Sequence, residues 1–89
     1  MTPELRQLIA RWGRLRNEAA ELYNKLFEAN KVARENRARI NYQYEQQAVV
    51  FGRAYLERYD QAAAIWNDHL KGAVPHWLAL QIADEDTTP

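Results

Sequence analysis

Apolar and small residues recur along the first part of the chain at alternating spacings of three and four. This first apolar stripe comprises Leu5, Leu8, Trp12, Leu15, Ala19, Leu22, Leu26, Ala29 and Ala33. The alternation places all of its members on one face of an α-helix. Thr2, Pro3 and Glu4 precede it and are typical of a helix start, because they supply a cap, a fixed φ and a carboxylate near the positive end of the dipole. We therefore predict a helix over about residues 3–35.

A second apolar stripe with the same spacing comprises Val49, Gly52, Leu56, Tyr59, Ala63, Trp66 and Leu70. It predicts a helix over about residues 42–71, which Gly72 and Pro75 bring to an end. A short third helix is expected over about 75–83, with Val74, Trp77, Leu78 and Ile82 on one side. This segment, with Trp77, could fold back and close the end of the molecule near Trp12 and Trp66. Residues 84–89 are acidic and are expected to form a flexible tail.

The two stripes are out of phase by two residues. A continuous coiled coil absorbs insertions of three or four residues more easily than two, so the slip indicates a break between the helices. We predict that the chain reverses within residues 34–42, which makes residues 1–83 one all-α domain: an antiparallel, coiled-coil-like helical hairpin with a short third helix. One bent helix remains the alternative, because no Gly or Pro marks the turn.

The stripes also predict the core and the assembly. The core residues are expected to be Leu8, Trp12, Leu15, Leu22, Leu26, Leu56, Tyr59, Trp66 and Leu70. Ile9, Tyr23 and Phe27 widen the first stripe, which suits a helical bundle better than a two-stranded coil. Further apolar and aromatic residues do not all fit the seam of one hairpin: Tyr42, Tyr44, Val50, Phe51, Tyr55 and Ile65. Because a single hairpin cannot bury this surplus, we predict a homodimer that forms a helical bundle.

The amino-acid composition excludes several classes of function. The chain has 12 basic and 12 acidic residues and no cysteine, and it contains no serine either. A neutral chain has no general attraction to nucleic acid or anionic membranes. Disulfides, thiolate metal sites and the common Ser and Cys nucleophiles are excluded. No apolar stretch is long enough for a signal peptide or a membrane span, so we expect a cytoplasmic protein. Because the common nucleophiles are missing, we also expect the protein to be non-enzymatic and to have no cofactor.

Polar and aromatic residues around the predicted turn are the candidates for binding a protein partner. They are Arg34, Arg37, Arg39, Tyr42, Tyr44, Phe51 and Tyr55. Tyr and Arg are enriched at protein interfaces. Small cysteine-free helical chains of this style occur among bacteriophage accessory proteins, which include assembly factors and inhibitors of the anti-CRISPR kind. This analogy rests on size and helicity, and it suggests a protein that binds and modulates a larger complex.

Other residues suggest three alternatives to protein binding. The basic segment 31–39, followed by two tyrosines, could contact phosphates and stack a base. In size and helicity alone the chain resembles the intertwined helical chorismate mutases, where Arg11, Lys31 and Arg53 would supply the cations, although their early Ile-Asp pattern is absent. His69 and His76 do not match a known zinc or di-iron spacing, so no metal is expected.

Overall fold

The computed structural model describes residues 1–35 and 42–87, and every regular element in these ranges is helical. The elements are α1 (Pro3–Glu35), α2 (Tyr42–Ile65), a single π-helical turn (Trp66–Leu70) and α3 (His76–Thr87). At the start of α1 the Leu5 N–H donates to Thr2 Oγ1 over 3.2 Å, which confirms the predicted cap.

The helical hairpin is confirmed, because α1 packs extensively against α2. Arg58 Nε on α2 donates to Glu18 Oε2 on α1 over 2.9 Å, and the rings of Tyr23 and Tyr55 lie 5.5 Å apart. The chain therefore reverses between Glu35 and Tyr42, and the residues of the turn itself lie outside the described ranges. We call the opposite end, where α1 begins and α2 finishes, the open end of the hairpin.

The core lies at the open end rather than along the whole hairpin. Ile9 and Leu70 are fully buried there, and Trp12 is 3% exposed. The other buried members of the cluster come from all the elements and are Leu15, Ala62, Val74, Ala79, Ile82 and Ala83. Predicted core residues Trp12, Leu15 and Leu70 are thus buried, while Leu8, Leu22, Leu26 and Trp66 are partly buried.

The prediction that Leu56 and Tyr59 belong to the core is wrong for the single chain, where they are 56% and 55% exposed. Ala62 is buried instead, and Ala48, Gly52 and Tyr55 are partly buried. The side of α2 that faces α1 is therefore rotated away from the predicted stripe. Small residues lie on the side toward α1: Ala62 is buried and Ala48 is partly buried. At Gly52, which belongs to both sides, the Leu26 methyls lie about 4 Å from the position of a Cβ.

The π-helical turn after α2 changes which residues face α1 at the end of that helix. The Lys71 N–H donates to the Trp66 carbonyl over 2.7 Å, an i to i+5 bond that adds one residue to the turn. The extra residue turns Leu70 back toward α1, where it is fully buried. Gly72 then has a φ of +82°, the left-handed conformation expected after a helix.

Helix α3 folds back onto α1 as predicted, but in a different orientation. His76 lies beside Trp12, whereas Ala83, seven residues later, lies against Gly13. Neighbouring residues of α1 therefore meet distant residues of α3, so α3 crosses α1. In this orientation Trp77 points outward and is 66% exposed, which corrects the expectation that it closes the open end.

Helix α3 ends later than predicted, because it continues to Thr87 rather than ending at about residue 83. Ile82 and Ala83 are buried against the core and hold the last turns of the helix in place. The two final residues of the predicted tail lie outside the described ranges.

Candidate interaction surface

Large apolar side chains remain uncovered on one face of the hairpin, between the open end and the turn. The members of this aromatic strip are Tyr23 and Phe27 on α1 and Val49, Leu56 and Tyr59 on α2. Each of them is 51–59% exposed. Isolated exposed apolar residues are ordinary, but five on one face form a patch of the kind that marks a binding surface.

The helix spacing and the ring contacts make the strip continuous. Tyr23 and Phe27 are four residues apart on α1, and Leu56 and Tyr59 are three apart on α2, so each pair is adjacent. The partly buried ring of Tyr55 joins the two helices, because its centroid lies 5.5 Å from that of Tyr23 and 6.0 Å from that of Tyr59. The strip therefore covers the junction of the two helices.

A groove of about 530 Å³ extends the strip toward the open end. It is lined by Trp12, Arg16, Ala19, Tyr59, Ala62, Ala63, Trp66, Asn67 and His76. The His76 ring closes the groove, standing nearly edge-on at 5.8 Å from the ring of Trp12 and 5.1 Å from that of Trp66. The guanidinium of Arg16 lies 4.9 Å from the Trp12 ring centroid, a cation–π contact. The groove is thus aromatic, with cationic and amide groups at its edge.

The structure places the residues predicted to bind a partner in different parts of the hairpin. Tyr55 lies within the aromatic strip, whereas Phe51 lies in a second groove of about 370 Å³ with Lys25 and Val32, on the other edge of the hairpin. Arg34 is exposed near the end of α1. Arg37 and Arg39 lie outside the described ranges, as do the side chains of Tyr42 and Tyr44. The sequence prediction missed the exposed positions Val49 and Leu56 as binding residues, because it assigned the second stripe to the core.

The described residues predicted as alternative binding sets are separated or packed in the hairpin. Arg11 and Lys31 are 20 residues apart on α1, which separates them by about 30 Å. Within the described residues there is no group of three His, Asp or Glu side chains placed to hold a metal ion. His76 packs on two Trp rings, and His69 is exposed in the π-turn.

No protein-family model, curated protein or solved structure matches this chain. None of the helices in the described ranges combines the length and the apolar character that crossing a bilayer requires.

Proposed function

We propose that this protein is a non-enzymatic interaction module that binds another polypeptide chain through the aromatic strip. The observation that supports the proposal is the strip itself: five large apolar side chains, half exposed, on one continuous face. Interfaces typically combine such an apolar centre with a polar rim. Here the rim contains Arg16, Arg34, Glu45 and Asp60, which are all exposed.

The shape of the molecule supports the same function. Its principal extents are 56 × 27 × 16 Å, so the long hairpin is a thin layer of helices. Stable domains usually consist of at least two packed layers around one core. Near the open end α3 supplies part of a second layer on α1, but the strip has no covering element within the described residues. A partner chain on the strip would complete the second layer, and binding of this kind is how a small protein modulates a larger complex.

Site-specific photo-crosslinking in cells of the native organism tests the proposal. A photoreactive residue is placed at Phe27 or Tyr59 on the strip, and at Glu21 or Gln61 as controls. Glu21 and Gln61 are exposed and lie two residues from Tyr23 and Tyr59, so they point to the opposite side of each helix. We expect discrete crosslinked products from the strip positions alone. Equal crosslinking from strip and control positions would contradict the proposal.

Salt dependence separates this function from nucleic-acid binding by the basic segment 31–39. Apolar association through the strip should persist between about 50 and 200 mM salt, whereas contacts with several phosphates should weaken by orders of magnitude. Crosslinking yield from Tyr59 is therefore compared across that range. A yield that collapses with salt and is restored by nucleic acid would favour the alternative.

A further inference from the structure

We infer that the chain seated on the aromatic strip is a second copy of this protein, so that two hairpins pack face to face as a four-helix bundle. This inference rests on the proposed function and names the partner of the same surface. It also explains the apolar surplus of α2, where one stripe faces α1 and an overlapping set of residues faces outward.

The exposed area agrees with what a dimer needs. Five half-exposed side chains, three of them aromatic, leave on the order of 500 Å² of apolar surface per copy. In a two-fold arrangement the same patch is buried on both copies, so that about 1,000 Å² is removed from water in total, which is the lower limit for a specific interface. Rim contacts add to this area. The strip therefore reaches the area at which a specific dimer interface becomes possible, provided that all five side chains are buried in it.

The net charge and the charged side chains around the strip are compatible with self-association. The chain has no net charge, so two copies do not repel each other overall. Along the α1 edge of the strip, the exposed Arg16 lies seven residues before Tyr23 and the exposed Arg34 seven residues after Phe27. Along the α2 edge, the exposed Glu45 and Asp60 lie one turn beyond Val49 and Leu56, with the exposed Arg53 between these two apolar residues.

When α1 of one copy lies over α2 of the other, the α1 edge of the first strip faces the α2 edge of the second. Arg16 belongs to the same groove as Ala63, so it lies at the level of Asp60 along the hairpin. Arg34 lies near the end of α1 and Glu45 near the start of α2, so both are close to the turn. A two-fold axis along the hairpin would bring Arg16 to Asp60 and Arg34 to Glu45 in both halves of the interface. Such complementarity fixes the orientation of the two copies more than it adds to their affinity.

Two charge-introducing variants test the dimer, with one matched control. Leu56→Glu and Phe27→Glu place a carboxylate in the strip, and two-fold symmetry places two in the interface. Gln61→Glu adds the same charge to the opposite side of α2. The mass of each protein is measured by light scattering over a micromolar concentration series, and circular dichroism monitors the fold. Because Leu56 and Phe27 are more than half exposed, the fold of the single chain should be retained.

We expect the parent protein and Gln61→Glu to have twice the chain mass of 10.5 kDa, and both strip variants to dissociate at least about tenfold more readily. A parent that stays at 10.5 kDa over the whole range would overturn the inference, as would a dimer that all three variants leave intact. If a strip variant does not fold, the purified protein with a photoreactive residue at Tyr59 tests the dimer instead. We expect a covalent dimer from this position and none from the same residue placed at Gln61. A monomer that still crosslinks to a different protein in cells would refute the dimer and leave the proposed function standing.

Discussion

Replacement of Gly13 by alanine is the sharpest test of how α3 is seated. A Cβ at this position would lie 2.5 Å from the Cβ of Ala83 and 3.5 Å from its Cα. Ordinary contacts between carbon atoms are about 3.5–4.0 Å, so α3 must move away by roughly 1 Å. Neither group can rotate out of the way, because both belong to helix backbones. The substitution Gly13→Ala therefore separates α3 from α1 and loosens the packing of Ile82 and Ala79.

The magnitude follows from comparison with Gly52, the other glycine within a helix. Any Gly→Ala change in a helix interior gains about 1 kcal/mol from helix propensity. At Gly52 the nearest atoms to a new Cβ are the Leu26 methyls at 3.9 and 4.0 Å, an ordinary contact, so Gly52→Ala should be stabilising by up to about that amount. At Gly13 overpacking costs about 1–3 kcal/mol and offsets the gain. The difference between the two variants isolates the steric cost.

Urea unfolding followed by circular dichroism measures this difference at one protein concentration, because self-association would add to the apparent stability. The double variant Gly13→Ala/Ala83→Gly removes the clash and should recover about 1–3 kcal/mol relative to the sum of the two single changes. If Gly13→Ala is as stabilising as Gly52→Ala, or if the double variant shows no coupling, the close crossing of α1 and α3 is wrong.

Three further predictions concern the open end and the surface. Trp12→Ala should cost about 3–5 kcal/mol, because the ring is almost completely buried, whereas Trp77→Ala should change stability by less than about 0.5 kcal/mol; urea unfolding of both variants checks the contrast. The exposed Glu18–Arg58 pair should show a coupling free energy of about 0.2–1 kcal/mol in a double-mutant cycle with Gln, and a coupling that does not fall with added salt would contradict its electrostatic origin. His76→Ala should shift tryptophan fluorescence to longer wavelength, since the His76 ring covers Trp12 and Trp66 from water; an unchanged spectrum would place the ring elsewhere.

The fold class and the positions of the helices follow from local patterns in the sequence. The long regular stripe of α1, its Thr2 cap and the Gly72 stop are local signals, and local signals depend on few distant contacts. The phase slip between the stripes was sufficient to predict the reversal. The choice of protein binding over catalysis also came from composition, and it stays a proposal.

Only the tertiary structure decided which side of α2 faces α1. Two overlapping sets of apolar residues have the same three-and-four spacing, and spacing alone cannot rank them. Gly52 belongs to both sets, whereas the small side chains of Ala48 and Ala62 are on the side toward α1 and are partly buried and buried, and Leu56 and Tyr59 are more than half exposed. The π-turn and the close approach of α3 to α1 at Gly13 also depend on long-range packing. Because that packing leaves Leu56 and Tyr59 outside, the residues predicted as core became the centre of the candidate interaction surface.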